Sequence, residues 1–157
     1  MSGIYIHIPY CKQACHYCNY HFSTSLNNKE SVINSMLKEI EIKSAGSNDL
    51  IQTIYFGGGT PSFFATKEIN KIINSIFEKF QISENPEITL EANPDDLSKA
   101  KLIELSQSYI NRLSIGVQSF NDDELKLMNR SHNSNDAKTC IDNALKYYDN
   151  ISIDLIF

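Results

Sequence analysis

The sequence predicts an α/β fold: a row of parallel strands, each followed by an outer helix, curling toward an incomplete barrel. Three observations point there. Short strand-like runs alternate with segments of helical period to the last residue, each run has one apolar face and one polar or small face, and a cysteine-rich loop follows the first run directly.

The first strand is read at residues 4–8, where Ile4, Ile6 and Ile8 alternate with Tyr5 and His7. A helix follows, with Val32, Ile33, Met36, Leu37 and Ile40 along one side, Asn27 and Glu30 spaced as a capping box, and Gly46 as its stop. The second strand, 53–56, sets Ile54 and Phe56 against Thr53 and Tyr55. Its helix has the clearest period, Ile69, Ile72, Ile73, Ile76, Phe77 and Phe80 behind a Thr66 cap. The third strand, 87–91, opposes Ile88 and Leu90 to Thr89 and Glu91, and precedes a helix holding Leu102, Ile103 and Leu105 after Ser98. The fourth, 112–116, continues its alternation to Gln118: Leu113, Ile115 and Val117 oppose Arg112, Ser114, Gly116 and Gln118. A short helix begins at Asn121, and another over roughly 136–148 aligns Ala137, Cys140, Ile141, Ala144, Leu145 and Tyr148. The last run, 151–157, reads as a fifth strand with Ser152 and Asp154 on its polar face.

Helices on the outside of such a sheet need the apolar faces, so the polar faces turn inward. Ordinary eight-stranded barrels fill that interior with branched aliphatics. Here it offers Tyr, His, Glu, Gln and Asp, which are costly to bury unless a polar ligand or water satisfies them. The expectation is a barrel that holds a ligand, the alternative being strands half-exposed to solvent.

Residues 1–157 read as one domain, without internal repeat, low-complexity run or linker. Five β/α steps are too few to close a barrel, and an open strand edge is normally covered, so the chain is expected to be the N-terminal part of a larger protein whose remaining barrel and C-terminal domain lie beyond it. A net charge of −5, from 14 basic and 19 acidic residues, gives no electrostatic basis for binding nucleic acid. No apolar run approaches the ~20 residues of a membrane span. Met1-Ser2-Gly3 leads into the first strand without a basic region or cleavage site, so a cytoplasmic location is expected.

Cys11, Cys15 and Cys18 follow strand one in a loop that starts at Pro9, at what is the catalytic end of a β/α barrel. Clustered thiols in a cytosolic chain usually hold metal. Three thiolates suit an iron–sulfur cubane with one iron lacking a protein ligand, free to chelate a substrate. They also suit zinc, because His21, three residues after Cys18, would complete a Cys3His set. Spacing leaves both open. Cys140 sits in the apolar stripe of its helix and is read as core.

The Cys11-x-x-x-Cys15-x-x-Cys18 loop, with Gly57-Gly58-Gly59-Thr60-Pro61 after strand two, resembles the radical S-adenosylmethionine (SAM) superfamily. More narrowly, Tyr5-Ile6-His7-Ile8-Pro9-Tyr10-Cys11, Gly57 to Ser62, Glu91-Ala92-Asn93-Pro94 and Ser114-Ile115-Gly116-Val117-Gln118-Ser119-Phe120 resemble the oxygen-independent coproporphyrinogen III oxidases and their haem-chaperone relatives. The resemblance implies a (β/α)6 radical SAM barrel, truncated here after about the fifth strand. It further implies a [4Fe–4S] cluster on Cys11, Cys15 and Cys18, with SAM chelating the fourth iron. Gly58, Gly59 and Thr60 would lie along the SAM methionine part; Tyr5, Glu91, Gln118, Arg130 and Asp154 match positions that contact SAM, and Tyr17 matches an aromatic near its adenine. Of these six, Tyr5, Glu91, Gln118 and Asp154 also lie on the inferred inward face. No catalytic residue beyond the cluster is assigned, and His7 is read as a satisfied interior histidine rather than a catalytic one.

The oxidase branch usually carries a further cysteine two residues after the third, where this chain has Tyr20 after Asn19. That departure favours the haem-chaperone branch, which implies haem, an electron donor and a recipient haem protein as partners. Coproporphyrinogen decarboxylation is the alternative, and a zinc-stabilised interaction domain a second one.

Overall fold

The structure is a computed structural model and describes residues 2–157. Five parallel strands form one sheet in the order of the chain: β1 (Ser2–Ile8), β2 (Leu50–Gly58), β3 (Gln81–Ala92), β4 (Arg112–Gln118) and β5 (Ile151–Leu155). Between them run α1 (Lys29–Ser44), α2 (Thr66–Lys79), α3 (Lys99–Ser106), α4 (Asp122–Leu127) and α5 (Ser134–Ala144), with single 3₁₀ turns at Pro61–Phe63 and Pro94–Asp96. This is the predicted β/α alternation. No helix among the described residues is long and apolar enough to cross a membrane.

The register aligns like with like. Ile6, Phe56, Leu90, Leu113 and Ile151 form one continuous row across all five strands, while Tyr5, Tyr55, Thr89 and Arg112 form a row on the other face. The apolar rows pack under Ile33 and Ile40 of α1, Ile69, Ile72, Ile73 and Ile76 of α2, Leu102 and Leu105 of α3 and Ala137, Cys140 and Ala144 of α5. Each fully buried Leu, Ile or Phe contributes roughly 1.5–3 kcal/mol, so this layer dominates stability. Cys140 is buried there, and burial pushes its thiol up to about 12, the behaviour of an inert core residue.

The polar face is a hydrogen-bonded belt. Arg112 donates to Thr89 Oγ1 and Ser152 Oγ, both at 3.1 Å, and Ser152 Oγ donates to Ser114 Oγ at 3.1 Å. A parallel sheet normally has both faces covered. Here the second face carries polar side chains satisfied partly by one another.

Several boundaries differ from the sequence reading. Strand β3 begins at Gln81, because Ile82 pairs with Ile51 before the register jumps to Thr53 opposite Glu87, which leaves Ser83 to Pro86 bulged out of the ladder. Strand β5 ends at Leu155 rather than 157, and its apolar residues Ile153 and Leu155 are exposed, covered by no helix. Its pairing slips between Gly116 and Gln118, where Gln118 takes a positive φ, and Ile156 N–H makes a last bond to Gln118 C=O at 2.9 Å. Helix α1 is capped at Asn28 without a side-chain bond, so the Asn27–Glu30 box does not form. The Asn28 carboxamide oxygen instead accepts from Tyr10 Oη at 2.7 Å. Thr66 is inside α2 and donates to Glu104, while Glu68 accepts from the Ala65 amide at 2.9 Å.

Glu68 also pairs with Lys29 Nζ at 2.7 Å, joining the starts of α1 and α2. Burial opposes its ionisation, but the Lys29 and Ala65 hydrogen bonds outweigh this and leave its carboxyl below the usual value. A depressed carboxyl pKa contributes stability that is complete above the unfolded value of about 4.3 and is lost as pH falls through the folded one. Thermal melts of the wild type should therefore lose more between about pH 5 and about pH 3 than those of Glu68→Gln; parallel acid limbs would contradict the pairing.

Candidate functional site

At the C-terminal ends of β1 to β4, a cavity of about 200 Å³ is lined by Cys11, Cys15, Tyr17, Cys18, Gly58, Gly59, Thr60, Glu91, Gln118 and Arg130, together with Gln13, Tyr20, Phe22, Ala92, Asn93 and Gly116. Ten of the twelve residues singled out from the sequence thus share one concavity. Tyr5 and Asp154 are outside its lining. Tyr5 is exposed on β1, its ring stacked on Tyr55 at 6.0 Å and its hydroxyl 3.2 Å from His7 Nδ1. Asp154 is exposed on β5, in register with Gly116. A larger, apolar groove of about 680 Å³ between β1 and α1 contains none of the cysteines.

The glycine loop comes close to its neighbours because it lacks side chains. A Cβ on Gly59 would sit 2.5 Å from the Tyr10 carbonyl oxygen, and one on Gly58, whose φ is +114°, 2.7 Å from the His7 ring. The gain is two hydrogen bonds, from Gly59 N–H to Ile8 C=O and from Thr60 N–H to Tyr10 C=O, both 2.7 Å, which tie this loop to the entry of the cysteine loop.

Glu91 spans the site from β3. It accepts from Tyr55 Oη at 2.7 Å and from Gly58 N–H at 3.1 Å. Burial raises its pKa, these two donors pull it back, and Asp154 pushes it up again, leaving it above the usual carboxylate value. Burial likewise holds Tyr55 at about 12, reinforced by Glu91. Burial also pushes the Cys11 thiol up, against the pull of Thr60.

Arg130, just past α4, is the hub. Its Nη2 donates to Gly116 C=O at 2.6 Å and to Asn93 Oδ1 at 2.7 Å, while Nη1 donates to Cys15 Sγ and Tyr17 Oη, both at 3.3 Å. Its Nε is buried with no partner. Tyr17 is a neutral phenol, burial raising its pKa to about 12 against the pull of Arg130. Lys12 next to the first cysteine pairs with Asp95 at 2.7 Å, and Asp95 also accepts from Ser131 at 2.8 Å.

Gln118 reaches the cavity through a strained backbone, its φ being +68°. Ser119 N–H closes a tight turn onto Val117 C=O at 2.9 Å, and His132 Nε2–H donates to the same carbonyl at 3.0 Å. Such a conformation in a non-glycine residue costs about 1–3 kcal/mol and persists only where its surroundings hold it. The buried His132 is one of the residues the sequence reading missed. Asn93 is another: it lies in the quoted Glu91-Ala92-Asn93-Pro94 stretch, and it links Arg130 to Thr60 Oγ1.

Half-buried soft thiols facing a guanidinium with an unused donor fit an anionic iron–sulfur group. Among the described residues no three His, Cys, Asp or Glu side chains converge as one metal ion would require. The Cys3His set is not assembled, since His21 is exposed and outside the cavity.

A profile of the radical SAM superfamily matches residues 5–157. The haem chaperone HemW of Buchnera aphidicola subsp. Acyrthosiphon pisum is 39% identical over 158 residues, covering 99% of this chain and 42% of that protein. HemW of Bacillus subtilis is 38% identical over 162 residues, covering 100% of this chain and 42% of that protein. The chain therefore spans about two fifths of the length of these curated relatives. Among solved structures, coproporphyrinogen III oxidase (HemN) from Escherichia coli, described as a radical SAM enzyme, superposes with a TM-score of 0.90 at 26% identity, over 99% of this chain and 37% of that one. From its folded sheet, its loops and these likenesses, the chain belongs to the radical SAM superfamily, in the coproporphyrinogen-oxidase-like family and on its haem-chaperone (HemW) branch.

Proposed function

We propose that this chain is the cluster- and SAM-binding part of a haem chaperone, with Cys11, Cys15 and Cys18 holding a [4Fe–4S] cluster. The observation that carries the reading is the shared cavity: three thiols from one loop, the glycine loop, Glu91 and Arg130 face a single space. Tyr5 and Asp154, outside its lining, complete in this reading the set of SAM contacts that the family likeness implies.

When bound, the cluster supplies one electron to the sulfonium of SAM. The chain's own groups arrange the rest. Arg130 offers a fixed positive charge beside Cys15, its orientation set by Gly116 C=O and Asn93. Glu91 is oriented by two donors and offers its remaining acceptor capacity to an ammonium or hydroxyl. Tyr17 lends a neutral aromatic surface. The cavity lies at the strand ends, where such barrels place their chemistry, and its walls leave the thiols half-buried.

In this reading the whole protein receives haem and passes it to a recipient protein, with an electron donor reducing the cluster. The likeness to HemN keeps a second reading in view, radical decarboxylation of coproporphyrinogen. Tyr20, in place of the fourth cysteine, argues for the first. Anaerobic loading of the full-length protein with iron and sulfide, followed by a visible spectrum, SAM titration and haem titration, tests it. Iron uptake, a SAM-dependent spectral change and haem retention without release of CO2 from coproporphyrinogen are expected. Absence of iron, or iron blind to SAM, would overturn it.

A further inference from the structure

We propose that Asn129 is a positioning residue that holds the cysteine loop in register with Arg130, an inference that rests on the reading of Cys11, Cys15 and Cys18 as cluster ligands. Helix α4 ends in a Schellman turn: Asn129 N–H donates to Lys126 C=O at 3.0 Å and Arg130 N–H to Leu125 C=O at 2.9 Å. The turn places Asn129 in the left-handed region, with φ +57°. Glycine takes that position at no steric cost, so the helix end by itself favours glycine.

Within the turn the carboxamide makes no hydrogen bond. It reaches across to the cysteine loop, far earlier in the chain. Its Nδ2 donates to Ala14 C=O at 2.7 Å and its Oδ1 accepts from Gln13 Nε2 at 2.8 Å, while the Asn129 carbonyl accepts from the same Gln13 nitrogen at 2.9 Å. A backbone carbonyl can only accept, which fixes the orientation of the carboxamide. The two residues before it add to the grip: His16 N–H donates to Met128 C=O at 3.1 Å, and His16 Nδ1–H to Leu127 C=O at 2.9 Å. The residue after it, Arg130, touches Cys15.

The cysteine loop has few bonds of its own. Cys18 N–H donates to Cys15 C=O at 3.2 Å, and Cys11 N–H to Ser23 C=O at 3.1 Å. Its placement is therefore imposed from outside, by Lys12 on Asp95 and, around Cys15, at Gln13, Ala14 and His16, all between the first and last thiol. An asparagine at a glycine position sacrifices local stability and gains the alignment of the thiols with the guanidinium.

Asn129→Gly separates the two roles, because it keeps the backbone conformation and deletes the carboxamide. In the full protein without iron, it should melt at or above the wild type, while exchange of the His16 amide, which is bonded across to Met128 C=O, accelerates by about tenfold. After anaerobic loading with iron and sulfide, iron held against a chelator should fall by about tenfold, the usual scale for removing a partner that orients metal ligands. The electron paramagnetic resonance change that SAM induces in the reduced cluster should weaken in step. Asn129→Asp, which still accepts from Gln13 but cannot donate to Ala14, should fall between. Wild-type exchange and iron retention in Asn129→Gly would overturn the proposal, as would a large drop in its melting temperature, which marks a merely structural role. If the wild type itself takes up no iron, the cluster reading fails, and the exchange comparison alone then decides whether Asn129 orders the loop.

Discussion

Replacing Cys11, Cys15 and Cys18 together by serine is expected to abolish iron incorporation and, with it, SAM binding, while leaving the melting temperature of the iron-free protein nearly unchanged. The thiols are half-buried around a cavity and lie outside the apolar layer between sheet and helices that dominates stability. Serine preserves their size but offers a hard, protonated oxygen in place of a soft thiolate, and cubane iron is held by thiolates. Each single replacement should cost most of the cluster. Cys140→Ala is the internal control: its thiol is buried under the helices, and the variant should load iron like the wild type with only a modest loss of stability. Measured iron and sulfide per chain, beside a thermal melt, decide the matter; a triple serine protein that still binds iron would end the cluster assignment.

Arg130→Met is expected to lose SAM affinity by at least about tenfold and to lower stability as well. The two effects have separate origins. Its Nη2 satisfies Gly116 C=O and Asn93 Oδ1, both part-buried, and leaving such acceptors without a donor costs up to about 1–3 kcal/mol. Its charge is the cation beside Cys15 and Tyr17, so methionine also removes the positive charge that the proposed cluster's thiolates would face. Arg130→Lys should recover some affinity and little stability, because an ammonium cannot imitate a planar fork with four partners in fixed directions. Titration of SAM into the iron-loaded variants, set against their melting temperatures, resolves the two. Equal SAM affinity in the Arg130→Met and wild-type proteins would remove Arg130 from the site.

The alternation of Ile4, Ile6 and Ile8 with Tyr5 and His7, and its repetition in later strands, is enough to read the sheet, its polar face and the end that carries the cysteines. The long periodic helix α2 is equally plain. What the sequence hides depends on contacts between distant segments. The extra length of β3 exists because Ile82 finds Ile51, and no local pattern announces that a strand will resume beyond Pro86 after a bulge. The start of α1 goes without a side-chain cap because Tyr10 claims the Asn28 carboxamide. The positive φ of Gln118 is imposed by the turn onto Val117 and by His132, neither of which differs in composition from an ordinary strand end. Arg130 comes from family likeness; by residue pattern alone it reads as a solvated charge after a short helix. The carboxamide of Asn129 escapes for the same reason, since a residue at a helix end is usually explained by the helix.

That last contact bears on the order in which the protein matures. The residues that seat the cysteine loop are translated and folded long after it, and pairings across such separations form late because loop closure must precede them. Until β4 and α4 are in place, three neighbouring thiols are a flexible chelator open to whatever metal the cell offers. On the proposed cluster assignment, productive iron loading follows folding, and a chain stalled before residue 129 would be prone to mismetallation.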